Sequence, residues 1–344
     1  MKRHQKARCW SSAQLREKTL VSNTRKRLKS APAASTLGSI DPNGPNLWPS
    51  KGPPPIRCSP SSLDVAGSSR VLLRTHQILV LEKPPDVAMD GNPSSGVTVD
   101  TLVRHWCEKD GNPLEHPHHF CHRLDFGTSG ILVLGLNRAI TAVCGSAFAE
   151  RTVKKVYSAV CCGELNTNTI PWSADPLMGA YRRPKEDAGG DTFVINGPLA
   201  PKSPGDFLMA VFLDSKSAGE EKPVVGLKAA RTLVQVLETI KYCGHSVTRL
   251  RLTPLTGRRH QLRVHLNHLG HPLVGDATYD GGALAGLAPR MMLHAMELTI
   301  PLGPGGVLQV TTPDPFPSSA GELQPLIQVP LEQCRAEVTT RLLM

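Results

Sequence analysis

Apolar positions along the chain fall into two regimes that meet near residue 70. Before it they are sparse, and residues 31–70 are Pro, Ser and Gly punctuation with neither a strand nor a helix period. After it, short apolar runs alternate with turn residues. The stretch VLLRTHQILVLEKP (71–84) predicts a strand that stops at Lys83-Pro84-Pro85-Asp86, because proline cannot donate to a ladder. A helix is expected over 97–109 and a buried strand over 130–136 (GILVLGL). Asn137 is placed to cap a helix at 138–151, whose apolar stripe reads Ala139, Ala142, Val143 and Ala147. Residues 156–162, 230–237 and 246–255 read as strands, several with β-branched residues in alternation. A helix over 259–269 meets Gly270 as its C-terminal cap with Pro272 beyond, and the last strands run through MMLHAMELTI (291–300). Strands and helices do not alternate regularly and no internal repeat is visible. The expected class is therefore α+β and not doubly wound.

This pattern divides the chain into a disordered leader at 1–68, a catalytic-sized domain at 69–316 and a tail at 317–344. Within the domain, residues 164–226 are Pro-, Gly- and Asp-rich and weakly periodic, and read as a variable insertion. Charge sharpens the division. The chain has 344 residues, 39 Lys and Arg, 29 Asp and Glu, and a formal charge of +10. Ten of the basic side chains lie in residues 1–30 against one acid, Glu17, so nearly all the surplus sits in the leader. A basic balance points to an anionic partner, nucleic acid first. An Arg-rich, acid-poor leader fits a mitochondrial transit peptide. Its cluster Arg25-Lys26-Arg27-Leu28-Lys29 equally fits a nuclear signal or an RNA-binding arm, and a cytoplasmic chain with an unaddressed tail is the plainer alternative. No apolar run reaches the roughly 18 residues of a membrane helix, so a membrane partner is not expected. Nine Cys in this length do not make a disulfide-dense scaffold, which fits a reducing compartment.

Three stretches hold candidate chemistry. In His122-Arg123-Leu124-Asp125-Phe126-Gly127-Thr128-Ser129-Gly130, a carboxylate stands in a polar loop before a buried strand with two cations beside it. That suits a nucleophile or base, and equally an ordinary capped turn. In Gly257-Arg258-Arg259-His260-Gln261-Leu262-Arg263-Val264-His265, a 3.6-residue period gathers Leu262, Leu266 and Leu269 on one face and His260, Arg263 and Asn267 on another. Such a face suits phosphate or a carboxylate partner, or plain solvent. The run His116-Pro117-His118-His119-Phe120-Cys121-His122 offers zinc ligands, but no CxxC completes a tetrahedral set, so no metal is expected.

Taken together, these motifs resemble the RluA-type pseudouridine synthase family. His122-Arg123-Leu124-Asp125 with Thr128-Ser129-Gly130 looks like its catalytic signature, and the segment 255–265 like its second long motif. Gly270-His271-Pro272-Leu273-Val274-Gly275-Asp276, Tyr279, Arg151 to Tyr157 and Arg290 to Ala295 follow in the family's order. The resemblance spans about 70–316. It implies the pseudouridine synthase fold, a mixed and mostly antiparallel sheet with flanking helices and a central active-site cleft. It also implies isomerisation of uridine to pseudouridine in RNA without a cofactor; structured rRNA, tRNA or mRNA is the expected partner, and no obligate protein partner is evident in the sequence. Carried over by position, Asp125 is the catalytic carboxylate, Arg263 its ion-pair partner and Tyr157 the group against the target base. His122, Arg123, Thr128, Lys155, Arg258, Arg259, His260 and Gln261 are the expected RNA contacts. Two departures stand out: Lys83-Pro84-Pro85-Asp86 replaces a Lys-Pro-x-Gly, and Arg259 stands where Thr or Ser is usual.

The chemistry explains the residue types. A carboxylate used inside a cleft has to be ionised, which a contacting cation favours, and Arg keeps its charge under burial where Lys does not. The target uridine must leave its stack, at a cost of a few kcal/mol that an aromatic face offsets in part. The competing reading from another class is an RNA-binding or ribosome-assembly scaffold that has no use for the ion pair.

Overall fold

The computed structural model describes residues 70–342 except 92–96, 110, 112, 115–116, 172–178, 182–190, 214–223, 280–283, 285–286, 304–305, 320 and 324–336. The expected leader at 1–68 lies outside the described residues. The first apolar stretch is two strands, β1 (Arg70–Arg74) and β2 (Ile78–Lys83), paired antiparallel, where the sequence suggested one. The polar triplet Thr75-His76-Gln77 makes the turn, with the Thr75 hydroxyl accepting the Gln77 and Ile78 N–H groups. Helix α1 (Val99–Lys109) buries Val99, Leu102, Val103 and Trp106, the i, i+3, i+4, i+7 stripe of an amphipathic helix.

After the two-residue β3 (His119–Phe120), strand β4 (Ser129–Gly135) is buried at every position, as its unbroken apolar run requires. Asn137 caps α2 (Arg138–Ala149), its side-chain oxygen accepting the Ile140 N–H at 3.0 Å. The buried stripe of α2 is Ile140, Cys144 and Ala147, whereas Ala139, Ala142 and Val143 are exposed. Burying Ile140 removes more apolar area than burying an alanine, and that fixes the helix rotation.

Strand β5 (Lys154–Cys162) is followed by small elements within the expected insertion: a 3-10 turn (Thr167–Thr169), β6 (Gly179–Tyr181), β7 (Thr192–Asn196), β8 (Leu199–Pro201) and β9 (Met209–Val211). β8 and β9 form their own hairpin. Next come β10 (Arg231–Tyr242) and β11 (His245–Pro254), joined by Cys243-Gly244, both at positive φ as a two-residue hairpin turn demands. Helix α3 (Gln261–His268) precedes β12 (Leu293–Pro301), β13 (Gly306–Thr311), β14 (Ser318–Ser319), β15 (Glu322–Leu323) and β16 (Glu337–Leu342). Pairing of β13 with β16 carries the sheet beyond Pro315.

Among the described residues the main sheet runs β1-β2-β4-β12-β5-β11-β10-β15-β14, and β7 adds to β10. All its neighbours are antiparallel except β4–β12 and β10–β15. The fold is therefore α+β with a mixed, mostly antiparallel sheet. Because β12 lies between β4 and β5, register aligns Gly130, Ala295, Tyr157 and Leu252 in one row across four strands. Tyr157 packs at the seam between two apolar clusters, one under α1 and one under α3.

Candidate active site

Asp125 sits on the loop that feeds β4. The loop is held from below by Lys83 at the end of β2, which is 1 % exposed. Its ammonium donates to the carbonyls of Pro84 (3.0 Å), Phe126 (2.9 Å) and Thr128 (2.9 Å), matching three donors to three acceptors. Burial pulls Lys83 down to about 7, and the nearby charge of Asp86 works against that shift. Asp86 itself adopts φ +57°, the left-handed conformation that the usual glycine would supply and that Asp tolerates better than most residues. Gly130 has φ +111°, and a Cβ there would lie 2.3 Å from the Ala295 carbonyl oxygen, so the loop enters β4 only with glycine.

Arg263 arrives from α3, which is pinned on nearly every side. Gln261 accepts from the Thr256 hydroxyl (2.6 Å) and the Arg258 N–H (3.0 Å) and donates to the Arg231 carbonyl (2.9 Å). His265 is fully buried, bound to Thr232 and to the Gly197 carbonyl, each at 2.9 Å. Of the expected polar face His260, Arg263 and Asn267, the first two are interior and Asn267 is exposed, and Gln261 and His265 are buried as well. Arg263 donates through Nε and Nη2 to both carboxylate oxygens of Asp276, at 2.7 Å each. Its remaining nitrogen, Nη1, reaches Asp125 at 3.4 Å. Burial opposes the guanidinium charge most strongly, but the hydrogen bonds and charges of Asp276 and Asp125 together outweigh it and raise the Arg263 pKa. Asp276 is placed by Gly275 at φ +77°, where a Cβ would fall 2.2 Å from the Arg290 carbonyl oxygen.

Tyr157, on β5, has its hydroxyl pushed upward by burial and then by the charge of Asp125, so it stays protonated. His260 and Tyr279 also feel the Asp125 charge. Groups from separate elements therefore converge on one carboxylate. The Tyr279 hydroxyl accepts the Met209 N–H (3.0 Å) and meets His260 Nδ1 (2.8 Å), while the Arg263 guanidinium lies over the Tyr279 ring at 5.0 Å.

The other predicted residues have varied placements. His122 is turned inward: its Nε2 accepts the Val133 N–H (3.0 Å), its ring stacks on Phe148, and burial pulls it down to about 3. Thr128 is buried and serves through its backbone. Arg123 is exposed and forms a bidentate pair with Asp90 at 2.8 and 3.0 Å. Lys155 is half-buried with its ammonium 6.0 Å from the Phe148 ring centre. Arg258 donates to the Ala229 carbonyl, and exposed Arg259 caps the β8–β9 turn. In the His and Cys run, His116 lies outside the described residues, while His118 packs edge-on against Phe120 and Cys121 joins the core. Among the described residues no three ligating side chains gather as a metal site. A surface depression of about 640 Å³ bordered by His118, His119, Phe120 and Arg138 lies at the Gly135 end of β4, away from Asp125.

Three contributors escaped the sequence reading. Lys83 and Asp276 were visible only as members of motifs. The third is a buried relay: Arg290 donates to Ser129 Oγ, Ser129 meets His294 Nδ1 (2.7 Å), and His294 Nε2 meets Thr312 Oγ1 (2.9 Å). It backs the first residue of β4.

A family model described as RNA pseudouridylate synthase matches residues 77–268. RNA pseudouridylate synthase domain-containing protein 1 from Homo sapiens is 35 % identical over 251 residues, 72 % of this chain and 70 % of that one. The dual-specificity RNA pseudouridine synthase RluA of Escherichia coli is 32 % identical over 179 residues, 52 % of this chain and 65 % of its own. The solved structure of human RNA pseudouridylate synthase domain containing 1 superposes with a TM-score of 0.56 at 30 % identity, covering 78 % of this chain and 93 % of that one.

Proposed function

The chain belongs to the RNA pseudouridylate synthase family and is an RNA pseudouridine synthase, and from that premise we propose that Asp125 is the carboxylate that carries the reaction. The isomerisation breaks the bond from ribose C1′ to N1, turns the uracil and joins C1′ to C5. The proton lost from C5 is balanced by one gained at N1. No metal or organic cofactor is needed for that balance. Attack on the sugar, deprotonation at C2′ and attack on the base each use an ionised carboxylate, and Asp125 fills that role in all three.

The supporting observation is the division of labour at Arg263. Asp276 clamps two of its nitrogens and leaves the third facing Asp125, so a fixed positive charge stands against the reacting group. In this reading Tyr157 provides the face against which the flipped uracil packs and a hydroxyl for proton transfer. Arg123, Lys155, Arg258 and Arg259 hold RNA phosphates, which position the substrate without specifying it. The substrate is an rRNA, tRNA or mRNA, and the leader directs the chain to the mitochondrion or nucleus or acts as an RNA-holding arm.

The test is Asp125→Ala in the full chain, with pseudouridine mapped across total RNA and RNA affinity measured alongside. Product should vanish while affinity stays within a few-fold of wild type. Pseudouridine formed at the wild-type rate by Asp125→Ala would overturn the assignment, whereas normal complementation by an Asp125→Ala chain that forms no product would favour the scaffold reading.

A further inference from the structure

Phe126 and Phe207 are the exposed large aromatic side chains among the described residues, and Phe207 is held by its neighbours. Phe207 stands at the β8–β9 turn, 62 % exposed. The Arg259 guanidinium lies 5.0 Å from its ring centre and donates to the carbonyls of Asp206 (3.0 Å) and of Phe207 itself. His260 meets the Phe207 ring edge-on at 4.9 Å. A lone surface aromatic carries no meaning. This one is braced: a long side chain that would otherwise move freely is tethered to the turn and laid against the ring, at a cost in rotamer entropy. Much of the ring nevertheless remains in water, and covering it would be favourable.

The brace also connects to the candidate site. From Phe207 the contacts run through His260 to Tyr279, from Tyr279 to the Arg263 guanidinium, and from Arg263 to Asp125. Phe207 is thus fixed relative to the reacting carboxylate by side chains already in contact. A flat apolar face with a cation against it matches an unpaired nucleobase, which stacks on aromatic rings and is joined to phosphates that a guanidinium attracts.

We propose that Phe207, backed by Arg259, is a stacking platform for an unpaired base next to the target uridine, so that the enzyme takes its uridine from a loop or single-stranded segment. This rests on the reading of Asp125 as the reacting group and adds the form of RNA that reaches it.

The experiment uses the full-length chain and an eleven-nucleotide oligouridylate carrying one 2-aminopurine, moved position by position. Wild type should quench 2-aminopurine strongly at one position. Phe207→Ala should abolish that quench and weaken binding by roughly 5- to 150-fold, the range for loss of one base–aromatic stack. Phe207→Trp should restore both, which a merely structural role for the turn would not produce. Unchanged affinity and quench in Phe207→Ala overturn the platform, and so does weakened binding that Phe207→Trp fails to restore. Asp125→Ala should keep the quench. If it keeps the quench and also still forms pseudouridine, the assignment of Asp125 falls while the platform stands.

Discussion

Asp276 holds Arg263 at two nitrogens, and Asp125 touches the same guanidinium at the third. The two carboxylates share one cation yet differ in exposure: the Asp276 side chain is 1 % exposed and that of Asp125 28 %. Asp276 therefore fixes the guanidinium from the interior, and Asp125 stays partly exposed.

That asymmetry predicts opposite profiles for two isosteric changes. Asp276→Asn should destabilise the fold by about 3 kcal/mol, because it leaves a buried guanidinium short of its carboxylate. It should lower turnover as a consequence of a displaced Arg263. Asp125→Asn should cost about 1 kcal/mol or less in stability and remove product formation altogether. Denaturant unfolding and pseudouridine assays on both proteins check this. Equal destabilisation by the two changes would mean that Asp125, too, is a structural anchor.

Lys83 makes a second prediction. Its ammonium fills the carbonyls of Pro84, Phe126 and Thr128, so it sets the backbone on either side of Gly127. Lys83→Met keeps the apolar stem and deletes the donors, leaving three carbonyl groups to find other partners. Turnover should fall at least tenfold, with a smaller change in RNA affinity, since nothing in the phosphate-contacting set is altered. Steady-state kinetics that separate kcat from KM decide it; a change confined to KM would place Lys83 in RNA binding.

These two residues also mark where the sequence was readable. The elements β4, α2, β5, β10, β11 and α3 were legible because each has its own apolar period and turn signals. Asp125, Tyr157 and Arg263 came from motif resemblance, and the register row through Ala295 explains why Tyr157 and the β4 loop meet. What stayed hidden was the interior use of polar groups. His260 and Arg263 look like a wet helix face on a helical wheel, but they bond to Tyr279 and Asp276, while Gln261 and His265 bond to β10 and to the chain around Gly197. Helical period reports which residues share a face, not whether the opposite face also has a neighbour. The short strands β6 to β9 escaped for a different reason, being three- to five-residue pieces too short to show a period of their own.

His294 predicts an acid limb of stability. Arg290 donates to Ser129, so the Ser129 proton is free to go to His294 Nδ1. Thr312 gives its own proton to the Met296 carbonyl (3.3 Å) and must accept from His294 Nε2. The ring is therefore neutral with its proton on Nε2. Burial, aided by the Arg290 charge, pulls its pKa from 6.5 down to about 3. Between those values the unfolded chain binds a proton that the folded one does not, so stability rises with pH across this window. The contribution is complete above about 6.5 and is lost as pH falls toward 3. Replacing the ring by His294→Gln should lower stability at pH 7 and flatten its dependence between pH 6.5 and 4. Urea midpoints measured in that range check the sign, and a variant with the wild-type slope would assign the acid sensitivity to another group, His122 first.

The leader gives the last prediction, and it concerns salt. Residues 1–30 carry ten basic side chains and one acid, while the remaining chain is close to neutral. Each phosphate neutralised by such a side chain releases counterions and steepens the dependence of affinity on salt, by about 0.9 per contact on a duplex and about 0.7 on a single strand. Removing residues 1–68 should therefore weaken RNA binding strongly at 50 mM salt, weaken it little at 300 mM, and cut the slope of log affinity against log salt by several units. Turnover on a short RNA containing the target uridine should stay within a few-fold, because Asp125, Arg263 and Asp276 come from the domain that begins near residue 70. A truncated chain that keeps the full slope would move the electrostatic grip to Arg123, Lys155, Arg258 and Arg259. One that binds short RNA normally but forms no product would make the leader part of the reacting site.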